Sequence, residues 1–137
     1  MAKTKTLPDN PSALLTVMLR DLRQIEATPG YEVDTTIWHV PDGASCAVCM
    51  AGAVMAVSLG APRTVTRAPG NFRGNTNKLY AIDHFRQGDC SYAFWTMSLS
   101  ETIGRRFNRT MPKYSKRNKK FHKAVAELID DLRASGF

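Results

Sequence analysis

Between Leu14 and Ile25 the apolar residues Leu14, Leu15, Met18, Leu22 and Ile25 recur at helical spacing and fall on one face. Asn10-Pro11 stands in front of them. Asn accepts from the free N–H groups of a first turn, and Pro is pre-set for the first helical position. Thr28-Pro29-Gly30 closes the pattern. Tyr31 to His39 changes character: Tyr31, Val33, Thr35, Ile37 and Trp38 are β-branched or aromatic, which suits a short strand or an extended strap. Pro41-Asp42-Gly43 reads as a turn. From Ser45 to Leu59 the residues are small and apolar, no charge occurs between Ala44 and Pro62, and Gly60 follows in the position of a C-cap. This run predicts a second helix, apolar on every side and so placed at the centre of the domain.

Arg63 to Asn77 is a long loop rich in Gly, Pro, Asn and Thr. A third helix is expected over Lys78–Gln87, closed by Gly88, with Asp89 capping a fourth from Cys90 to about Leu99. Tyr92-Ala93-Phe94-Trp95 suits a strand as well. The last helix is expected from about Ser115 to Ala134, with Phe121, Val125, Leu128, Ile129 and Leu132 as its stripe. The fold class expected is mainly α: a single small domain over residues 1–137, with four to five helices around a central apolar helix at about 45–59. One short strand or hairpin is expected near 31–39, and residues 1–9 read as a flexible tail.

Charge changes this picture more than composition does. The 137 residues carry 19 Lys and Arg against 12 Asp and Glu, a formal net charge of +7. Residues 102–126 contain no acid and nine cations: Arg105, Arg106, Arg109, Lys113, Lys116, Arg117, Lys119, Lys120 and Lys123. The rest of the chain is slightly acidic, so the whole excess belongs to this segment, which leads into the last helix. A block this one-sided attracts a phosphate backbone or the acidic face of a protein. Tyr114, Phe107 and Phe121 are interleaved with it, which would allow stacking on unpaired bases. Arg63, Arg67 and Arg73 make the preceding loop a second candidate contact. The alternative for both segments is a solvated surface that only confers solubility.

The cysteines offer the other candidate chemistry. Cys46 and Cys49 form a Cys-x-x-Cys pair, His39 lies close in sequence, and Cys90 or His84 could complete a tetrahedral zinc set. The competing reading has the two thiols as small apolar residues of a buried helix, with no cofactor. Three cysteines and no secretory leader point to a reducing, cytoplasmic setting, and no run is long enough to span a bilayer. His39, His84 and His122 are scattered, and no Ser–His–Asp order, paired carboxylates or HExxH occurs, so a non-enzymatic protein is expected. An apolar helical surface is compatible with a homodimer.

Trp38-His39, then the run from Cys46 to Ala56 (Cys-Ala-Val-Cys-Met-Ala-Gly-Ala-Val-Met-Ala), then Leu59-Gly60 resembles a pattern in small uncharacterised proteins encoded by tailed bacteriophages. The segment from Ala81 to Asp89, with its Phe-Arg-Gln-Gly-Asp ending, is similar to a turn such proteins place near their centre. The likeness covers about residues 31–89 and leaves out the basic third of the chain. It implies a viral gene in a bacterial cytoplasm and a role in binding host machinery, such as a defence nuclease, a CRISPR complex or a polymerase. The combined expectation is a phage-type interaction protein. It would bind an acidic host-protein surface or nucleoprotein complex through its basic segment and inhibit or modulate it. The alternative is a direct DNA- or RNA-binding protein, with or without a structural zinc.

Overall fold

The computed structural model describes residues 6–8, 10–34, 39–64, 86–87, 90–91, 114–134 and 136. The first helix, α1, spans Pro11–Glu26. Its cap is the expected one: Asn10 is extended, and its side-chain oxygen accepts the Ala13 N–H at 3.0 Å. Leu14, Leu15, Met18, Leu19, Leu22 and Ile25 are all buried. Leu7 is buried with them, so the expected tail is anchored to the core at that residue.

Past α1, Gly30 takes a positive φ of 89° and turns the chain into the first strand. A methyl group there would stand 1.9 Å from the Arg63 guanidinium, which lies over the glycine and donates to the Ala44 carbonyl at 3.4 Å. Left-handed backbone is costly for any residue with a Cβ. Gly30→Ala is therefore expected to lose about 1–2 kcal/mol in urea denaturation. An unchanged midpoint would show that the turn relaxes freely.

Three strands follow: β1 at Tyr31–Val33, β2 at His39–Asp42 and β3 at Ser45–Val48. They form one mixed sheet in the order β1-β3-β2. β2 and β3 are an antiparallel hairpin in which Asp42 faces Ser45 across Gly43-Ala44, and Gly43 has a positive φ of 59° as primed hairpin turns require. β1 lies parallel on the other side of β3, pairing Tyr31 with Cys46 and Val33 with Val48. Pro41, with no N–H to offer, sits in the edge strand β2.

This sheet overturns the mainly α expectation. Ser45–Val48 is a strand, not the start of a helix: Cys46 and Val48 are fully buried and Ser45 and Ala47 half-buried, the period of two that a one-sided sheet imposes. The helical part of the uncharged run, α2, is only Met50–Ala56, with Cys49 at its N-cap. A continuous apolar run carries neither a 3.6 nor a 2.0 period, so it does not separate strand from helix. α2 is buried from Met50 to Met55, as expected. The hub of the core, however, is α1, which contacts α2, the last helix and β1, while α2 touches β2 and β3.

Further along, β4 at Arg86–Gln87 and β5 at Cys90–Ser91 form a two-stranded antiparallel ladder. A third helix reaching Gln87 and a fourth starting at Cys90 are thereby corrected. Two residues containing a glycine between paired segments suit a hairpin as readily as a helix–helix turn. The rest of those two expected helices, and the Arg63–Asn77 loop beyond Thr64, lie outside the described residues. The last helix, α3, spans Lys120–Ala134 and begins five residues later than expected. Asn118 sets the boundary, its side chain accepting the Lys120 N–H at 3.0 Å. Phe121, Val125, Leu128, Ile129 and Leu132 are buried as the stripe predicts. α3 runs antiparallel to α1, with His122 beside Glu26 at one end and Arg133 beside Thr16 at the other. The described residues thus hold three helices and a three-stranded mixed sheet, not four to five helices around a central one. Among them no helix is long and apolar enough to cross a membrane.

Candidate anion-binding cleft

The end of α1 and the start of α3 meet at a buried hydrogen-bonded cluster. Glu26 is the last residue of α1 and falls four residues after Leu22, so its carboxylate faces the core side rather than water. His122 lies in the first turn of α3, next to Phe121. His122 Nε2 meets Glu26 Oε1 at 2.7 Å, with side-chain exposures of only 2% and 8%. The Tyr114 hydroxyl donates to the other oxygen, Glu26 Oε2. Tyr114 also packs edge-on against Phe121, their ring centres 5.5 Å apart. One carboxylate thereby joins α1, α3 and the segment leading into α3.

Burial, the hydrogen bond to Glu26 and the Glu26 charge all push the Tyr114 phenol well above its ordinary pKa of 10.0. In the folded state the neutral phenol is therefore held as a donor. Raised in the folded protein, this group contributes stability that is fully present below pH 10 and declines as pH rises above it, where the unfolded chain releases the proton first. Tyr114→Phe removes the hydroxyl, so its stability profile is expected to fall less steeply above pH 10 than that of the parent protein. Denaturation midpoints taken from neutral pH upward check this, and parallel profiles would exclude the role.

Over this cluster opens a cleft of about 680 Å³ lined by Arg23, Glu26, Ala27, Lys116, Lys119, His122 and Lys123. Of the nine cations of the basic block, the structure places five: Lys116, Arg117, Lys119, Lys120 and Lys123, all exposed. Three of them line the cleft, where α1 adds Arg23. Among the described residues none of these five forms an ion pair. Lys116 and Lys119 precede α3 while Lys123 stands on it and Arg23 on α1, so a turn and two helix ends together gather the positive charge. Arg105, Arg106, Arg109 and Lys113 lie outside the described residues, as do Arg67 and Arg73. Arg63 is engaged with Gly30 and Ala44 beside the sheet.

Two aromatic residues expected to be available for base stacking are not. Phe121 is 1% exposed in the core, and Tyr114 is committed to Glu26 and Phe121. Phe107 lies outside the described residues.

The thiol candidates are only partly brought together. His39 and Cys46 are both buried, with each ring nitrogen of His39 3.7 Å from Cys46 Sγ. Cys49 is buried at the N-cap of α2. Among the described residues no three His, Cys, Asp or Glu side chains form a group able to hold a metal ion. The side chain of Cys90 and the whole of His84 lie outside them. Burial pushes the Cys46 thiol up, against smaller opposing effects of Arg63 and a backbone hydrogen bond from Val40. A raised pKa keeps the thiol protonated and makes it a weak nucleophile.

Glu26, Arg23 and the pairing of His122 were absent from the sequence-based candidates. The usable signal was Glu26 itself: a carboxylate at the spacing of an apolar stripe must find a partner. Which partner it finds, 96 residues away, no local pattern states.

No protein-family model, no curated protein and no solved structure matches this chain.

Proposed function

We propose that this chain is an interaction protein whose basic surface around Lys116–Lys123 docks on the acidic part of a nucleoprotein complex and modulates or inhibits it. The observation that carries the reading is the cleft: Lys116, Lys119, Lys123 and Arg23, contributed by separate segments, converge on one concavity. Converging like charges favour a specific acidic partner more than an evenly solvated surface does. A bacterial host machine as the target is what the resemblance over residues 31–89 to phage proteins implies. A second reading, direct binding to DNA or RNA, draws on the same cations. With Phe121 and Tyr114 occupied, such contact would run through phosphates and be strongly salt-dependent.

The test is charge reversal. Tagged parent protein and a Lys116→Glu/Lys119→Glu/Lys120→Glu/Lys123→Glu variant are compared as baits in nuclease-treated and untreated bacterial lysate. All four side chains are exposed, so the variant is expected to fold normally while losing at least about tenfold in partner recovery. Recovery that survives nuclease treatment supports the nucleoprotein or protein target. Recovery that vanishes with the nucleic acid supports the second reading. Unchanged recovery by the variant would remove this surface from both.

A further inference from the structure

The cleft is built in a way that a solvated charged surface is not. Four cations, Arg23, Lys116, Lys119 and Lys123, line it against the single carboxylate of Glu26. The helix at its edge is charged backwards: α3 has no acidic residue in its first turn, and Lys119, Lys120 and Lys123 crowd that end. The N-terminal end of a helix carries the positive pole of the macrodipole, so cations there cost stability and anions gain it. The floor is fixed, because the Glu26 carboxylate is held by both His122 and Tyr114. His122 itself is 2% exposed, and its Nδ1 is buried without a hydrogen-bond partner among the described residues.

We infer that this cleft is a binding site for phosphate esters, taking consecutive phosphate groups of a nucleic-acid strand or of a nucleoside polyphosphate. An anion there neutralises the repulsion among Arg23, Lys116, Lys119 and Lys123 and meets the favourable pole of α3. Three ammonium groups and one guanidinium can meet the several oxygens of phosphate groups, the lysines as point charges and Arg23 as a fork. A volume of about 680 Å³ admits more than one phosphate group. The inference rests on the docking reading for the location of the contact, and it identifies the phosphates rather than the protein of a nucleoprotein complex as what enters the cleft.

The experiment is a set of titrations of the full-length, 15N-labelled protein at low salt, followed by the amide resonances of residues 23–27 and 116–123. The probes are tripolyphosphate, a 12-nucleotide single-stranded DNA and poly-glutamate. Either phosphate probe is expected to shift both groups of resonances, and Lys119→Gln/Lys123→Gln is expected to require at least about tenfold more of it. For the oligonucleotide, the same variant should lower the salt slope by about 1.4, at about 0.7 per lost single-strand contact. Saturation by tripolyphosphate alone supports the site with a free polyphosphate as its ligand. Saturation by DNA alone supports it with a strand as its ligand. Shifts with poly-glutamate and neither phosphate probe overturn the inference while leaving protein docking intact. Silence with all three overturns it too, and charge-dependent recovery from lysate then decides the docking reading separately.

Discussion

Glu26→Ala is expected to cost about 2–6 kcal/mol, at about 1–3 kcal/mol for each buried donor left without its acceptor. The loss arises because His122 Nε2 and the Tyr114 hydroxyl both bond this one carboxylate and stay buried without it. Glu26→Gln keeps the shape and one acceptor, and turns the other position into a donor facing a donor. It should lose less, about 1–3 kcal/mol. A double-mutant cycle pairing Glu26→Gln with His122→Phe, read by urea denaturation, isolates the coupling between the two helices. If Glu26→Ala unfolds within about 1 kcal/mol of the parent protein, the cluster is a surface contact and not a joint between α1 and α3.

Asp21→Ala is expected to be comparably damaging at the other side of α1. Asp21 is 0% exposed, accepts the Ser58 hydroxyl on one oxygen and meets Arg20 Nε at 3.2 Å on the other. Arg20 in turn reaches the Ser58 oxygen at 3.1 Å, closing a small ring that ties α1 to the segment after α2. Removal of the carboxylate strands the Ser58 hydroxyl at a buried position and releases Arg20 to solvent, which is 59% exposed already. The expected loss is about 2–3 kcal/mol, from the buried hydroxyl left without its acceptor and the lost bonds to the carboxylate, roughly 6–10 °C in Tm for a chain of this size. Ser58→Ala leaves the charge pair in place and should cost about 1 kcal/mol. Equal losses in the two variants would mean that the hydroxyl, not the charge, organises the ring.

The helices with their own signals were legible in the sequence. α1 has both an Asn-Pro start and an unbroken stripe, and α3 has its stripe, although Asn118 rather than Ser115 opens it. Of the sheet, only the extended character of Tyr31–Val33 was legible, and the rest was not, for a reason specific to Ser45–Val48. Its alternation is carried by Cys46 and Val48 against Ser45 and Ala47, residues too similar in size and polarity to reveal a period of two. β1 then depends on β3 through parallel pairing across the intervening hairpin, which no local pattern reports. For the site, the density of cations was visible, and their convergence on a cleft was not. It depends on Arg23 from α1 and on a turn before α3 that bends Lys116 toward Lys119. Glu26 and Asp21 were both readable as carboxylates on an apolar stripe, an inconsistency that marks a position where tertiary partners are required.

The antiparallel seating of α3 on α1 also sets a timetable. Glu26 and His122 are 96 residues apart, and Thr16 and Arg133 are 117 apart. Ribosomes add roughly 5–20 residues per second, so α1 leaves the exit tunnel roughly 5–20 s before the helix that covers it. Through that interval Leu14, Met18, Leu22 and Ile25 belong to a nascent chain whose partner is still untranslated. Contacts this distant in sequence also slow folding after release. Newly made chains should therefore draw on holdase chaperones, and yield should respond to growth temperature more strongly than the stability of the finished protein would suggest.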